Sequence, residues 1–156
     1  MGAHGRQAGS ARYLLMRDHE RLDALLGKLL ETFLDGDPGD VRAMWTRFDA
    51  ALSAHLEAEE RQLLPLFART HPAEAAGLLA EHAQLRRSLD DLGVSVDLHA
   101  VSLEAARAFV GELRAHARRE DALLYRWSDG IVGDAGGEGR LGLPGPASGA
   151  RASLGG

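Results

Sequence analysis

Apolar residues recur at spacings of three and four along four segments of the chain, and each segment is bounded by turn chemistry. The pattern predicts helices over 10–35, 37–69, 72–92 and 97–127. Leu15, Leu22, Leu26, Leu29 and Phe33 share one stripe of the first helix. It is expected to stop at Asp35-Gly36, where glycine supplies the left-handed conformation that many helix ends need. Asp37-Pro38-Gly39-Asp40 then restarts the chain: Asp37 is a good N-cap, Pro38 fits the first helical position, and Asp40 lies in the positive first turn. Pro72 and Glu74 repeat the device. The second helix carries Trp45, Phe48, Leu52, Leu56, Leu63, Leu66 and Phe67, with Pro65 expected to bend its last turns by removing one backbone hydrogen bond. Val101, Phe109, Leu113, Leu123, Leu124 and Trp127 mark the fourth.

Four such stripes on helices joined by short connections can be buried only against one another, so the expected fold is all-α, an antiparallel up-down-up-down four-helix bundle. Residues 1–9 are expected to be a flexible N-terminus, residues 10–128 the bundle, and residues 129–156 a disordered tail. The tail is set apart by composition: of the 19 glycines, ten fall in the last 28 residues, and no hydrophobic periodicity runs through them. A segment rich in Gly, Pro, Ala and Ser buries too little apolar surface to offset its ordering entropy.

Charge and composition narrow the chemistry. The net charge is −5 and no basic run is dense enough to neutralise a stretch of phosphates, so no nucleic-acid partner is expected. No segment reaches the roughly 18 apolar residues of a membrane span, and the opening Met1-Gly2-Ala3-His4-Gly5-Arg6 has no apolar signal core; the expected address is the cytoplasm, with no membrane partner. With no cysteine in the chain, a disulfide framework, a zinc finger and a thiolate-bound cluster are excluded, and any metal must be held by His and carboxylates.

Seven histidines are present, of which His4, His71 and His99 fall in predicted loops or helix starts. His19, His55, His82 and His116 fall one per helix, and apolar residues three positions before each (Met16, Leu52, Leu79, Leu113) place them in the apolar stripes. Counted from the shared end of the bundle, they lie 9, 14, 10 and 11 residues in. At about 1.5 Å per residue the spread is roughly 7–8 Å, one layer of the bundle. His55 and His116 are each followed at i+4 by a carboxylate, Glu59 and Glu120, and residues four apart share a helix face. Two Glu in an apolar interior need a compensating cation. A pair of ions supplies it, with carboxylates bridging the ions and imidazoles filling terminal positions. Iron is the expected metal for such a thiolate-free site, with manganese or zinc compatible on ligand chemistry. No inward His has a Glu three residues before it, which disfavours the ferritin-like di-iron pattern.

Read together, Asp18-His19-Glu20, His55-Leu-Glu-Ala-Glu59-Glu60 with Leu63-Leu64-Pro65-Leu66-Phe67, Glu81-His82, and His116-Ala-Arg-Arg-Glu120-Asp121 with Leu124-Tyr125 resemble the hemerythrin-like (HHE cation-binding) domains over residues 10–128. The resemblance implies a four-helix bundle around a non-heme di-iron centre, oxo-, hydroxo- or carboxylate-bridged. His19, His55, Glu59, His82, His116 and Glu120 take the ligand positions, with Glu59 and Glu120 as bridges. Oxygen carriers of that family present a second histidine four residues on in the third helix, where this chain has Arg86. Arginine stays protonated and donates no lone pair, which argues against reversible oxygen carriage. Oxygen carriers also use a carboxylate five residues after the fourth-helix His, here Asp121, whereas iron-sensing relatives resemble the four-residue spacing of Glu120. Straight-helix geometry favours Glu120, and a local bulge would bring in Asp121.

The expected function is a hemerythrin-like di-iron protein that reacts with or senses O2, peroxide or nitric oxide, with catalase- or peroxidase-like activity as its enzymatic form. The alternative is an O2-binding or iron-sensing module without turnover. Some hemerythrin-like proteins dock into encapsulin shells by a C-terminal peptide, and Arg140-Leu141-Gly142-Leu143-Pro144 or Ala152-Ser153-Leu154-Gly155 would be the corresponding segment here.

Overall fold

A computed structural model of the chain describes the backbone of residues 2–130 and the side chains of residues 12–130. Of the expected tail 129–156, residues 129 and 130 continue the helix, while residues 131–156 with both candidate docking peptides lie outside the described residues. Among the described residues the fold is all-α, with no strand. Helix α1 spans Gly2–Asp35, α2 Pro38–Gln62, α3 Leu64–Phe67, α4 Pro72–Asp97 and α5 Leu103–Glu120. A π-helical turn, Asp121–Tyr125, continues α5, and α-helical conformation resumes over 126–130. Helix α1 packs on α2, α2 on α4, and α4 on α5. No helix among the described residues is long and apolar enough to cross a membrane.

The helix ends show which local signals acted. Asp37 caps α2 as expected, its side chain accepting from the Gly39 and Asp40 N–H groups at 2.9 Å each. The stop at Gly36 has a different cause from the one expected: no glycine among the described residues has a positive φ. Instead the Gly36 N–H bonds the Thr32 carbonyl at 2.8 Å, and a Cβ at Gly36 would stand 2.6 Å from Thr32 Cγ2 and O. Close approach, rather than left-handed backbone, requires glycine there. The expected second helix is broken rather than bent. Pro65 has no N–H to continue the ladder, so α2 ends at Gln62 and the one-turn α3 follows, with the Leu66 and Phe67 N–H groups both returning to the Leu63 carbonyl. The third helix runs five residues past the expected end, to Asp97, because Gly93 stays helical against the Trp45 ring. The last helix begins at Leu103 rather than near 97, where Ser102 Oγ accepts from the Ala105 N–H at 3.0 Å.

Two apolar clusters fill the interior. The larger joins Leu22, Leu26 and Leu29 of α1 to Phe48, Leu52 and Leu56 of α2, Leu85 and Leu89 of α4, and Phe109 of α5. The smaller joins Leu15 of α1 to Leu63, Leu64 and Phe67, Leu78 of α4, and Leu124 and Tyr125 of the π turn. Each buried Leu or Phe side chain contributes about 1.5–3 kcal/mol relative to exposure. Between the clusters, on each long helix of the bundle, lies a polar residue: His19 between Leu15 and Leu22, Glu59 between Leu56 and Leu63, His82 between Leu78 and Leu85, and Glu120 between Phe109 and Leu124.

Candidate metal centre

The residues that turn His19 and His82 inward are not the ones the three-residue spacing singled out. Met16 and Leu79 are 44% and 45% exposed. Leu15 and Leu22 flank His19, and Leu78 and Leu85 flank His82, at −4 and +3, and these four are buried. Positions −4 and +3 lie about 40° and 60° round the helix on one side of the histidine, whereas −3 lies about 60° round on the other, which in these two helices is the side toward solvent. His55 and His116 do follow the three-residue spacing, with Leu52 buried and Leu113 half-buried at −3 and the buried Glu59 and Glu120 at +4, and all four imidazoles reach the layer between the two apolar clusters.

Glu59 and Glu120 stand in the middle of that layer, 0% and 1% exposed. Around Glu59 lie His55 Nε2 at 3.0 Å and His19 Nε2 at 3.8 Å from Oε1, with His82 Nε2 at 3.3 Å from Oε2. Around Glu120 lie His116 Nε2 at 2.6 Å and His82 Nε2 at 3.2 Å from Oε1, with His19 Nε2 at 3.3 Å from Oε2. The structure thus brings together all six sequence-predicted residues, and each His directs Nε2 at the carboxylates. Two groups have ligand atoms within 4.8 Å of one another: His19, His55, Glu59 and Glu120, and Glu59, His82, His116 and Glu120. Both groups contain the same two carboxylates. Asp121, the alternative to Glu120, is exposed and stands at the rim of the cavity beside the layer. The bulge that would have brought it inward begins at Asp121 itself, one residue too late.

The π turn instead carries Tyr125 to the centre. Its hydroxyl donates to Glu59 Oε1 at 2.7 Å and lies 3.4 Å from His19 Nε2. Burial and the neighbouring Glu59 and Glu120 push its pKa up, so it remains a neutral donor.

An outer set of carboxylates holds the other imidazole nitrogens. His82 Nδ1 donates to Glu60 Oε1 at 2.9 Å, and the same oxygen accepts from Arg86 Nη1 at 2.7 Å. His116 Nδ1 donates to Glu81 Oε2 at 2.7 Å, and Arg119 holds the other oxygen of Glu81. Asp18 Oδ2 lies 3.6 Å from His55 Nδ1. Sequence reasoning gave none of Asp18, Glu60, Glu81 or Tyr125 a role, and it left Arg86 without a partner. Of the remaining histidines, His71 precedes α4 and stacks on Phe67 with ring centroids 4.8 Å apart, and His99 lies in the loop before α5; neither reaches the layer.

Burial and hydrogen bonding set the charge of this layer. Burial alone would lower the pKa of His82, but hydrogen bonds to Glu120 and Glu60 and the negative charge of Glu59 outweigh it and raise the value to about 10. His19 and His116 are raised in the same way, burial being opposed chiefly by Glu120. Glu120 is held well below its ordinary range because the three histidines around it outweigh burial. Imidazolium protons therefore balance the buried carboxylates, and metal binding would displace them.

The residues present fit a metal. Buried His55 Nδ1 and Nε2, Glu59 Oε2 and His116 Nε2 make no hydrogen bond of acceptable geometry. Buried polar atoms left unpaired are costly, and here His55 Nε2, Glu59 Oε2 and His116 Nε2 face the shared layer. Two donors about 2.1 Å from a common ion stand at most about 4.2 Å apart, so groups drawn within 4.8 Å need only a small contraction. A cavity of about 230 Å³ beside the layer is lined by His19, His55, His116 and Glu120 on one side and by Leu22, Leu26, Leu52, Leu56 and Leu113 on the other.

No curated protein and no solved structure gave a match to the chain. A family model, the hemerythrin HHE cation binding domain, matches residues 10–128, the span that holds all six inward residues and their outer partners. A buried layer of His and Glu able to hold metal accords with a cation-binding domain, and the chain belongs to the hemerythrin HHE cation binding domain family.

Proposed function

We propose that the chain is a di-iron protein whose centre reacts with or senses O2, peroxide or nitric oxide. The observation that carries the reading is the sharing of Glu59 and Glu120 by both donor groups. Carboxylates common to two sites are the arrangement that relieves repulsion between two divalent ions about 3.5–4 Å apart. In this reading His19 and His55 serve one ion, His82 and His116 the other, and Glu59 and Glu120 bridge. The thiolate-free nitrogen and oxygen donor set suits iron and also admits manganese or zinc. The order of the clusters supports an antiparallel up-down-up-down bundle: α1 and α4 run from the smaller cluster to the larger, α2 and α5 the reverse.

Bound iron would supply one-electron redox chemistry and coordination positions open to small ligands. The chain supplies the rest. Nδ1–H donation to Glu60 and Glu81 fixes the tautomer of His82 and His116 so that Nε2 offers its lone pair to the layer. Arg86 stands where oxygen carriers have a further histidine, and it is spent on Glu60 at the surface, so it adds nothing to the donor set. The cavity of about 230 Å³, walled largely by leucines, leaves room for a small ligand beside His19 and His55.

The test is metal analysis of the purified chain with optical spectra before and after reduction and peroxide addition. Two irons per chain, a near-ultraviolet band that bleaches on reduction, and peroxide consumption well above that of free iron are expected. A chain that takes up no iron and shows no band overturns the reading. Iron uptake with reversible O2 binding and no turnover replaces the enzyme by a binding or sensing module.

A further inference from the structure

The two donor groups are identical in composition, each with two imidazoles and the same two carboxylates. Their surroundings differ. His82 and His116 are 0% and 5% exposed, and each gives Nδ1–H to a carboxylate at 2.9 and 2.7 Å. Each of those carboxylates also pairs with an arginine, Glu60 with Arg86 and Glu81 with Arg119. On the other side, His55 Nδ1 is buried with no hydrogen-bond partner, and its nearest acidic neighbour, Asp18, stands 3.6 Å away, beyond hydrogen-bond length. The His19 side chain is 23% exposed, and the leucine-lined cavity meets both rings of this half, His19 and His55, but only His116 of the other.

We infer that the centre holds its two ions unequally, with Glu60 and Glu81 as positioning residues that make the His82 and His116 half retentive and leave the His19 and His55 half exchangeable. The inference rests on the two-ion reading above. A carboxylate on Nδ1–H fixes the ring and raises the basicity of Nε2, and loss of such a partner typically weakens metal binding 10- to 100-fold. Unanchored rings hold an ion less tightly and reorient when it leaves. Arg86 works against Glu60: it donates to the same Oε1 that accepts from His82, so it draws off part of the charge that strengthens the ligand.

The full chain, loaded with cobalt(II), is challenged with increasing chelator and the ions retained per chain are counted by native mass spectrometry. Wild type is expected to lose its ions in two separated steps. Glu60→Gln and Glu81→Gln should each lower the chelator concentration that removes the last ion by about 10- to 100-fold. Asp18→Asn should shift that last step less than about threefold, since Asp18 makes no hydrogen bond to His55. Arg86→Met should move it the opposite way, raising the concentration by about two- to fivefold, within the range of a part-exposed ion pair. That sign separates positioning from bracing, because removing a mere brace weakens retention. Both ions leaving in one step in wild type, an effect of Asp18→Asn equal to that of Glu60→Gln, or weaker retention in Arg86→Met overturns the inference while leaving the two-ion centre standing. Failure to bind cobalt at all overturns the centre itself.

Discussion

The larger apolar cluster and the polar layer beneath it are built from the same helices by opposite rules. In the cluster, Leu22 to Leu29, Trp45 to Leu56, Leu85 to Val96 and Phe109 sit on uninterrupted α-helix, and regular spacing suffices to bury them. Beside the polar layer the backbone is irregular twice. Helix α2 breaks at Leu63, four residues after Glu59, and α5 widens into a π turn directly after Glu120. Each irregularity follows a central carboxylate. Apolar contacts are non-directional and tolerate a straight helix, whereas aiming hydrogen-bonding atoms at a point requires local changes of pitch, and the wider turn brings Tyr125 back toward the face of Glu120. One region supplies stability and the other uses part of it to hold groups that, without an ion, are balanced by protons.

The sharpest way to break this division is a crossed pair of substitutions. Phe48 is fully buried and meets Phe109 edge-on with ring centroids 6.0 Å apart. Phe48→Ala should cost about 3–5 kcal/mol of unfolding free energy through the cavity it leaves, with metal content per folded chain unchanged. Glu59→Ala should do the reverse: because both donor groups contain Glu59, neither ion is retained, while the larger cluster keeps the chain folded. Urea titration and metal analysis on both variants decide it. Loss of metal from a folded Phe48→Ala chain, or retention of two ions by Glu59→Ala, would show that the regions are not separable.

Tyr125 belongs to both regions, a member of the smaller apolar cluster whose hydroxyl serves the layer. Tyr125→Phe keeps the ring and deletes only the donation to Glu59. A hydrogen bond to a charged acceptor contributes about 1.5–3 kcal/mol, so denaturant unfolding of the metal-free chain should show a loss of that size. An unchanged midpoint would place Tyr125 with the packing alone.

The polar layer was legible in the sequence to the extent that it obeys helix periodicity. His55 with Glu59 and His116 with Glu120 are i,i+4 pairs, and the four inward histidines follow from one apolar stripe per helix. What stayed hidden acts between helices. Glu60, next to Glu59, serves His82 of α4, and Glu81, next to His82, serves His116 of α5. Each outer carboxylate is one residue from a central group on its own helix and faces the adjacent helix, about 100° round. That recurring acid beside a ligand, also present in Asp18-His19, was the available signal. The π turn left no such trace, since nothing in Asp121 to Tyr125 distinguishes a wider turn from an ordinary one until its neighbours are known. The break at Leu63 was half legible: Pro65 announced a disturbance but not whether the helix would bend or end.

Proton balance gives the last and smallest distinction between the regions, because the apolar cluster has no titrating groups and the layer has many. In the metal-free chain His82 is raised from 6.5 to about 10, with His19 and His116 raised as well. A group whose folded pKa is raised contributes stability fully below its unfolded value and loses it as pH climbs through the folded one. Glu120, held well below 4.5, contributes above that value and loses its share only in stronger acid. The metal-free melting temperature should therefore peak between pH 4.5 and 6.5 and decline from 6.5 toward about 10. With metal bound the displaced protons no longer count, and loading itself becomes more favourable as pH rises. The gap between metal-loaded and metal-free melting temperatures should widen across the same interval. A metal-free melting temperature that rises from pH 6.5 upward would mean that the imidazoles are not protonated in the folded layer, and the carboxylates would then need another source of positive charge.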